Sequence, residues 1–176
     1  MARPQISVFA AVSLDGFLAT SDDDLAWLEE AGDPADDHGF DALVESVDAV
    51  AMGRRTWDHI AEIADLPYRD RPLFVFTHRP PAAPRPDVTF WERTPHEAVE
   101  AWAHQGYRSV YVDGGTVVSS FLAADLVDDL TVTLVPILLG EGRPLFHPAD
   151  KQQRLELVGA TPFASGLVTL RYRRIR

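Results

Sequence analysis

The chain has 176 residues, no cysteine, and 27 acidic against 16 basic side chains for a formal net charge of -11, so it has single-domain size and repels polyanions such as nucleic acid. No apolar run approaches the roughly 20 residues of a membrane helix, the start Met1-Ala2-Arg3-Pro4 lacks a secretory pattern, and the missing thiols remove disulfides, thiolate metal sites and cysteine nucleophiles. The expectation is one cytoplasmic domain with neither nucleic acid nor membrane as partner, in which any local group of arginines is informative.

Residues 6–12 are apolar and rich in β-branched and aromatic side chains between Pro4 and Ser13-Leu14-Asp15-Gly16, which predicts a central strand and a turn. Phe17-Leu18-Ala19 continues the turn into Asp22-Asp23-Asp24, an N-terminal cap for a short helix over 25–30 that Gly32-Asp33-Pro34 breaks. Phe40, Leu43, Val44 and Val47 have helical spacing and lead into a strand over 49–52. Arg54 opens the next helix, continued by Trp57, Ile60 and Ala61. Residues 73–77 form a short strand, 80–86 a Pro-rich link, and 88–91 another strand. Thr94-Pro95-His96-Glu97 combines a capping box with Pro at the first helical position, and Gly106 ends that helix. A strand over 109–112 precedes Gly114-Gly115 and an apolar helical face of Val117, Val118, Phe121 and Leu122. The β/α alternation then stops: 130–135, 155–161 and 167–172 read as strands, with Ala164-Ser165-Gly166 as a hairpin turn. The fold class is α/β, a mostly parallel central sheet with helices on both faces and a C-terminal antiparallel hairpin.

Two strand-to-helix junctions could carry chemistry. At Met52-Gly53-Arg54-Arg55-Thr56-Trp57 free amides and a positive helix end face outward beside two guanidinium groups and a hydroxyl, and Val112-Asp113-Gly114-Gly115-Thr116-Val117 repeats the glycine arrangement. Alone, the first is better read as a surface helix with two solvated arginines. Together they suggest a pyrophosphate between them, with Gly114 and Gly115 allowing close backbone approach. There is no HExxH, EF-hand, Walker lysine, G-x-S-x-G or G-x-G-x-x-G, and the six histidines are scattered, so no metal is expected.

Five segments in order give the chain a resemblance to the dihydrofolate reductase superfamily, in particular the C-terminal reductase domain of the bacterial bifunctional riboflavin-biosynthesis deaminase-reductase and its stand-alone relatives. They are Ala10-Ala11-Val12-Ser13-Leu14-Asp15-Gly16, Met52-Gly53-Arg54-Arg55-Thr56-Trp57, Thr77-His78-Arg79, Asp113-Gly114-Gly115-Thr116, and the run from Pro136 through Gly140-Glu141-Gly142-Arg143-Pro144 to Phe146. The resemblance implies NADPH-dependent reduction of a small substrate, among them 5-amino-6-(5-phosphoribosylamino)uracil of riboflavin biosynthesis. It implies that Gly53, Arg54, Arg55 and Thr56 hold the pyrophosphate and adenosine phosphate, and that Thr77, His78 and Arg79 complete a 2′-phosphate pocket. Gly114, Gly115, Thr116 and Val117 would cradle the diphosphate, Asp113 would orient that backbone, and Ala11 and Leu18 would flank the nicotinamide. Riboflavin-type reductases often carry Glu-Gly-Gly where this chain has Asp113-Gly114-Gly115.

Asp15 and Asp24 are the catalytic candidates on the substrate side, although Asp15 also fits an Asp-Gly turn and Asp24 a helix cap. The alternatives are a dihydrofolate reductase, an NADPH-binding module without turnover, or a plain structural domain. The apolar C-terminal strands and the Val135-Pro136-Ile137-Leu138-Leu139 run suggest a homodimer, with burial of Leu138 and Leu139 inside one protomer as the competing account.

Overall fold

The computed structural model describes residues 2–31, 36–82, 85–148 and 152–175. The first strand, β1 (Gln5–Ser13), alternates in burial and carries Ile6, Val8 and Val12 at 0–2% exposure, which makes it the spine of the main sheet. A three-residue strand β2 (Phe17–Ala19) and two short helices, α1 (Ala26–Ala31) and α2 (Phe40–Ser46), lead to β3 (Ala49–Gly53), whose first four residues are all fully buried. Then come α3 (Arg54–Ile60), β4 (Leu73–Phe76), β5 (Val88–Trp91), α4 (Pro95–His104), β6 (Ser109–Asp113) and α5 (Gly115–Ala123). The chain closes with β7 (Asp129–Val135), β8 (Arg143–Pro144), β9 (Leu155–Pro162) and β10 (Val168–Arg174).

Eight strands form one sheet in the order β5-β4-β3-β6-β1-β7-β10-β9, parallel from β5 through β7 and antiparallel in the last two pairings. This is the expected α/β arrangement. Helices cover both faces because the parallel strands are apolar on both sides. On one face Ala98, Trp102, Val118 and Phe121 of α4 and α5, all at 0% exposure, pack on Val8, Val110 and Val112. Trp102 stacks against Trp91 at 5.8 Å and Phe121 at 6.0 Å, so one ring joins three elements. On the other face Val44 of α2 and Trp57 of α3 pack on Val50, Met52 and Tyr111.

The local signals at element ends act as anticipated. Thr94 and Glu97 make the reciprocal capping box of α4, and Gly106, at φ +84°, supplies the left-handed residue after it. Gly166 turns the β9–β10 hairpin at φ +89°. The break at Gly32-Asp33-Pro34 lies outside the described residues.

One feature was not anticipated. Phe17–Ala19, read as a continuing turn, is a strand that pairs antiparallel with Arg143–Pro144 in a separate two-stranded ribbon. Strands of three and two residues are too short to show a period. Glycine permits the close packing: a Cβ on Gly142 would lie under 3.0 Å from the Ala19 carbonyl oxygen. No helix among the described residues is long and apolar enough to cross a membrane.

Candidate active site

The C-terminal ends of β1, β3, β4 and β6 open into a cleft of about 710 Å³, roofed at one side by the β2–β8 ribbon. This is where a parallel sheet with helices on both faces leaves its loops and helix N-termini free for a ligand.

At its head the two glycine junctions touch. Strands β3 and β6 are neighbours in register, Met52 beside Asp113, so both chains leave the sheet at one level. Gly114 sits at φ +86°, and a Cβ there would stand 2.6 Å from Thr56 Oγ1 and 3.6 Å from the Gly53 amide nitrogen. A Cβ on Gly53 would meet Val117 Cγ2 at 3.3 Å. The first hydrogen bond of α5 runs from Val118 N–H to the Gly114 carbonyl, so the amides of Gly115, Thr116 and Val117 have no intrahelical acceptor and line the cleft. Gly53, Arg54, Arg55 and Thr56 line it from the other side, with Thr77, His78, Ala11 and Leu18.

Gly115 also packs against the ribbon. A Cβ there would lie under 3.0 Å from the Pro144 carbonyl oxygen and 3.2 Å from Leu18 Cδ1.

The arginines divide. Arg54 donates through Nε to Asp58 at 2.7 Å and through Nη1 to the Arg79 carbonyl at 2.7 Å, stapling α3 to the turn that Thr77 Oγ1 makes with the Arg79 amide. The Arg79 side chain is exposed and is not among the residues lining the cleft, whereas its carbonyl holds Arg54. His78 is paired with Glu92 at 2.7 Å. Arg55 belongs with a charged group at the cleft mouth: Arg143 bonds the Asp23 carboxylate at 2.7 and 3.3 Å, tying β8 to the loop after β2. That hydrogen bond, followed by the charges of Arg143, Arg55 and His59, holds the Asp23 carboxyl below its usual range.

Neither sequence-stated catalytic candidate is among the residues that line the cleft. Asp15 accepts from Ser13 Oγ at 2.6 Å, from the Leu139 amide at 3.2 Å and from the Gly140 amide at 2.7 Å, pinning the 139–140 loop to the β1 turn. Those bonds, the one from Ser13 foremost, lower its carboxyl pKa. Asp24 Oδ1 accepts from the Ala26 amide at 3.1 Å and caps α1. Both carboxylates hold loops, Asp15 the 139–140 segment and Asp24 the start of α1.

Besides Asp23 at the mouth, the acid that lines the cleft is Asp113. Its Oδ1 accepts from the Gly114 amide at 2.8 Å, the backbone-orienting bond anticipated for it. Its carboxyl lies deep in the floor, and desolvation pushes its pKa up to about 6, against the opposing pull of the Gly114 amide and the neighbouring Tyr111 hydroxyl. The lining also includes apolar and aromatic residues that the sequence reading passed over: Phe9, Tyr68 and Tyr111, with Leu25 and Leu28 from the α1 segment. Tyr111 was findable, because it stands two residues before Asp113 on β6 and so shares its face. Tyr68, in the 61–72 loop, obeys no period. Among the described residues no group of three or more His, Cys, Asp or Glu is placed to hold a metal.

Residues 4–169 match the family model described as the RibD C-terminal domain. A candidate riboflavin biosynthesis protein from Shewanella sp. PV-4, solved by crystallography, is 32% identical over 98% of this chain and 99% of its own, with a TM-score of 0.90. At 18% and 19% identity two further solved structures share the fold. One is the diaminohydroxyphosphoribosylaminopyrimidine deaminase/5-amino-6-(5-phosphoribosylamino)uracil reductase of Thermotoga maritima, with a TM-score of 0.73 over 98% of this chain and 57% of that one. The other is the dihydrofolate reductase of Enterococcus faecalis in complex with NADP(H) and RAB-propyl, with a TM-score of 0.66 over 98% and 97%. By sequence and by structure the chain belongs to the RibD C-terminal domain family, on a dihydrofolate reductase-like fold.

Proposed function

We propose that the protein is an NADPH-dependent reductase that passes a hydride to a small heterocyclic substrate. The observation that carries this reading is the contact between the two glycine junctions, which puts the free amides of α5 opposite Gly53 and Thr56 at one end of a cleft whose other end is apolar. The name of the Thermotoga relative supports reduction of a pyrimidine in riboflavin biosynthesis, and the NADP(H) complex of the Enterococcus enzyme supports the cofactor.

The residues present fit such a cofactor. The Gly114 and Gly53 cradle would be filled by any side chain, and the amides of Gly115, Thr116 and Val117 suit an anion. Arg54, held by Asp58 and the Arg79 carbonyl, with Thr77 and His78, would receive a 2′-phosphate. Ala11 and Leu18 would flank the ring that carries the hydride. Bound there, NADPH supplies the hydride, and the protein aligns donor and acceptor. Asp113, with a pKa of about 6, is mostly ionised at neutral pH but poised close enough to it to accept or return a proton at the site.

The same reading includes a homodimer. Among the described residues strand β9 is the sheet edge, paired with β10 on one side, and it exposes Leu157 and Val158 at 55% and 50%. A second copy covering this strand fits an apolar edge left open in so acidic a chain. Light scattering over a dilution series tests it: a species at the 19.5 kDa chain mass at every concentration overturns the dimer.

The reductase itself is tested by loss of NADPH absorbance when the protein is mixed with 5-amino-6-(5-phosphoribosylamino)uracil, its deaminated and reducible pyrimidine, or dihydrofolate. Turnover with either supports the reading. Tight NADPH binding with no oxidation by any candidate leaves a binding module instead.

A further inference from the structure

Tyr68 is 5% exposed, yet its hydroxyl has no hydrogen-bond partner among the described residues and remains open to the cleft. Its oxygen is not one of the buried unpartnered atoms, so the hydroxyl is left to meet whatever enters the cleft. The neighbouring hydroxyl of Tyr111 is already engaged, donating to the Phe9 carbonyl at 2.9 Å.

The Tyr68 side chain is held firmly. Its ring meets Phe40 edge-on at 6.0 Å and Tyr111 at 6.4 Å. The loop that carries it is fastened to α2: Arg71 donates to the Val44 and Glu45 carbonyls at 3.1 Å, and Arg69 bonds the Glu45 carboxylate at 2.6 Å. Its hydroxyl is therefore a fixed donor. Burial first, and then the charge of nearby Asp113, raise its pKa and keep the proton on at any physiological pH.

We propose that Tyr68 is a specificity-determining residue whose hydroxyl donates a hydrogen bond to a carbonyl oxygen on a flat substrate ring, held between Phe9 and Tyr111 on one side and Leu25 and Leu28 on the other. The assignment rests on reading the cleft as the reductase site. An amino group in place of the carbonyl could donate only to the hydroxyl oxygen, which leaves the hydroxyl proton without an acceptor and the ring more weakly held.

The test compares 5,6-diaminouracil with 2,4,5,6-tetraaminopyrimidine, which replaces both carbonyls by amino groups, in calorimetric titrations of protein saturated with NADP⁺. Tyr68→Phe keeps the ring packing and removes only the donor. It should weaken 5,6-diaminouracil about tenfold while leaving tetraaminopyrimidine and NADPH within about twofold. Its melting temperature should hold, because the hydroxyl bonds nothing in the protein, and Tyr68→Met should repeat the pattern. Equal loss for both probes, unchanged affinity for 5,6-diaminouracil, or no binding of it to the parent protein overturns the assignment. Failure of the parent protein to bind NADPH instead overturns the reductase reading beneath it.

Discussion

Replacing Asp113 by Asn should stabilise the protein in a pH-dependent way. The carboxyl is raised from 3.8 to about 6 chiefly by desolvation, so the folded chain holds this proton more tightly than the unfolded chain does. Below about pH 4 both states are protonated and the group contributes nothing. Between about pH 4 and 6 the unfolded chain releases the proton while the folded chain keeps it, so this group's contribution to stability falls as pH rises. Above pH 6 the charged form carries the whole penalty, about 3 kcal/mol. Asn retains an oxygen for the Gly114 amide bond and cannot ionise. Urea unfolding of parent and variant at matched pH should therefore give a difference near zero at pH 4 that grows to about 3 kcal/mol in favour of the variant by pH 8. The other carboxylates with shifted pKa values, Asp15 and Asp23 among them, are lowered and common to both proteins, so they cancel in the difference. A difference that is flat with pH, or that favours the parent at pH 8, would refute the claim that Asp113 is a desolvated acid. The same variant should lose most hydride transfer while keeping its affinity for NADPH.

Gly115→Ala places a methyl against the Pro144 carbonyl and should cost about 1–3 kcal/mol of stability, read as a lower melting temperature; an unchanged melt would show that the ribbon yields freely. Arg54→Ala should weaken NADPH at least tenfold and NADH hardly at all, whereas Arg79→Ala should leave both affinities near the parent's, because the carbonyl that holds Arg54 is retained. The reverse ranking in calorimetry would return the 2′-phosphate to the Arg79 side chain. Asp24→Ala should cost about 1 kcal/mol through loss of the α1 cap and leave kcat intact; a collapse of kcat at unchanged stability would restore Asp24 as a catalytic group.

Most of the sheet could be read from sequence because its signals are local. The buried run at Ala49–Gly53, the Thr94–Glu97 capping box and the β/α alternation each declare an element without help from distant residues. The two glycine junctions could be found for the same reason, and their contact followed once β3 and β6 were neighbours. What escaped depends on contacts far apart in sequence. The loop-holding part of Asp15 escaped because two of its partners, the Leu139 and Gly140 amides, lie more than 120 residues away. The β2–β8 ribbon joins two fragments too short to have a period, and Gly115 packs against it. Tyr68 reaches the cleft on an irregular loop whose position is set by arginine bonds to α2. The chemistry of Asp113 was hidden differently: its identity was plain, but the rise in its pKa comes from burial that only the assembled floor provides.

The central claim is that the paired glycine junctions hold NADPH. Calorimetric titration of the protein with NADPH, repeated with NADH and with Gly114→Ala, tests it most directly. A Cβ on Gly114 would press on Thr56 Oγ1 at 2.6 Å from a backbone at φ +86°, exactly where the two junctions must leave room. The account predicts saturable, equimolar binding of NADPH by the parent, much weaker binding of NADH, and loss of both in a Gly114→Ala variant that still melts cooperatively. Equal affinity for the two cofactors in the parent, or undiminished NADPH binding by the folded variant, would contradict it.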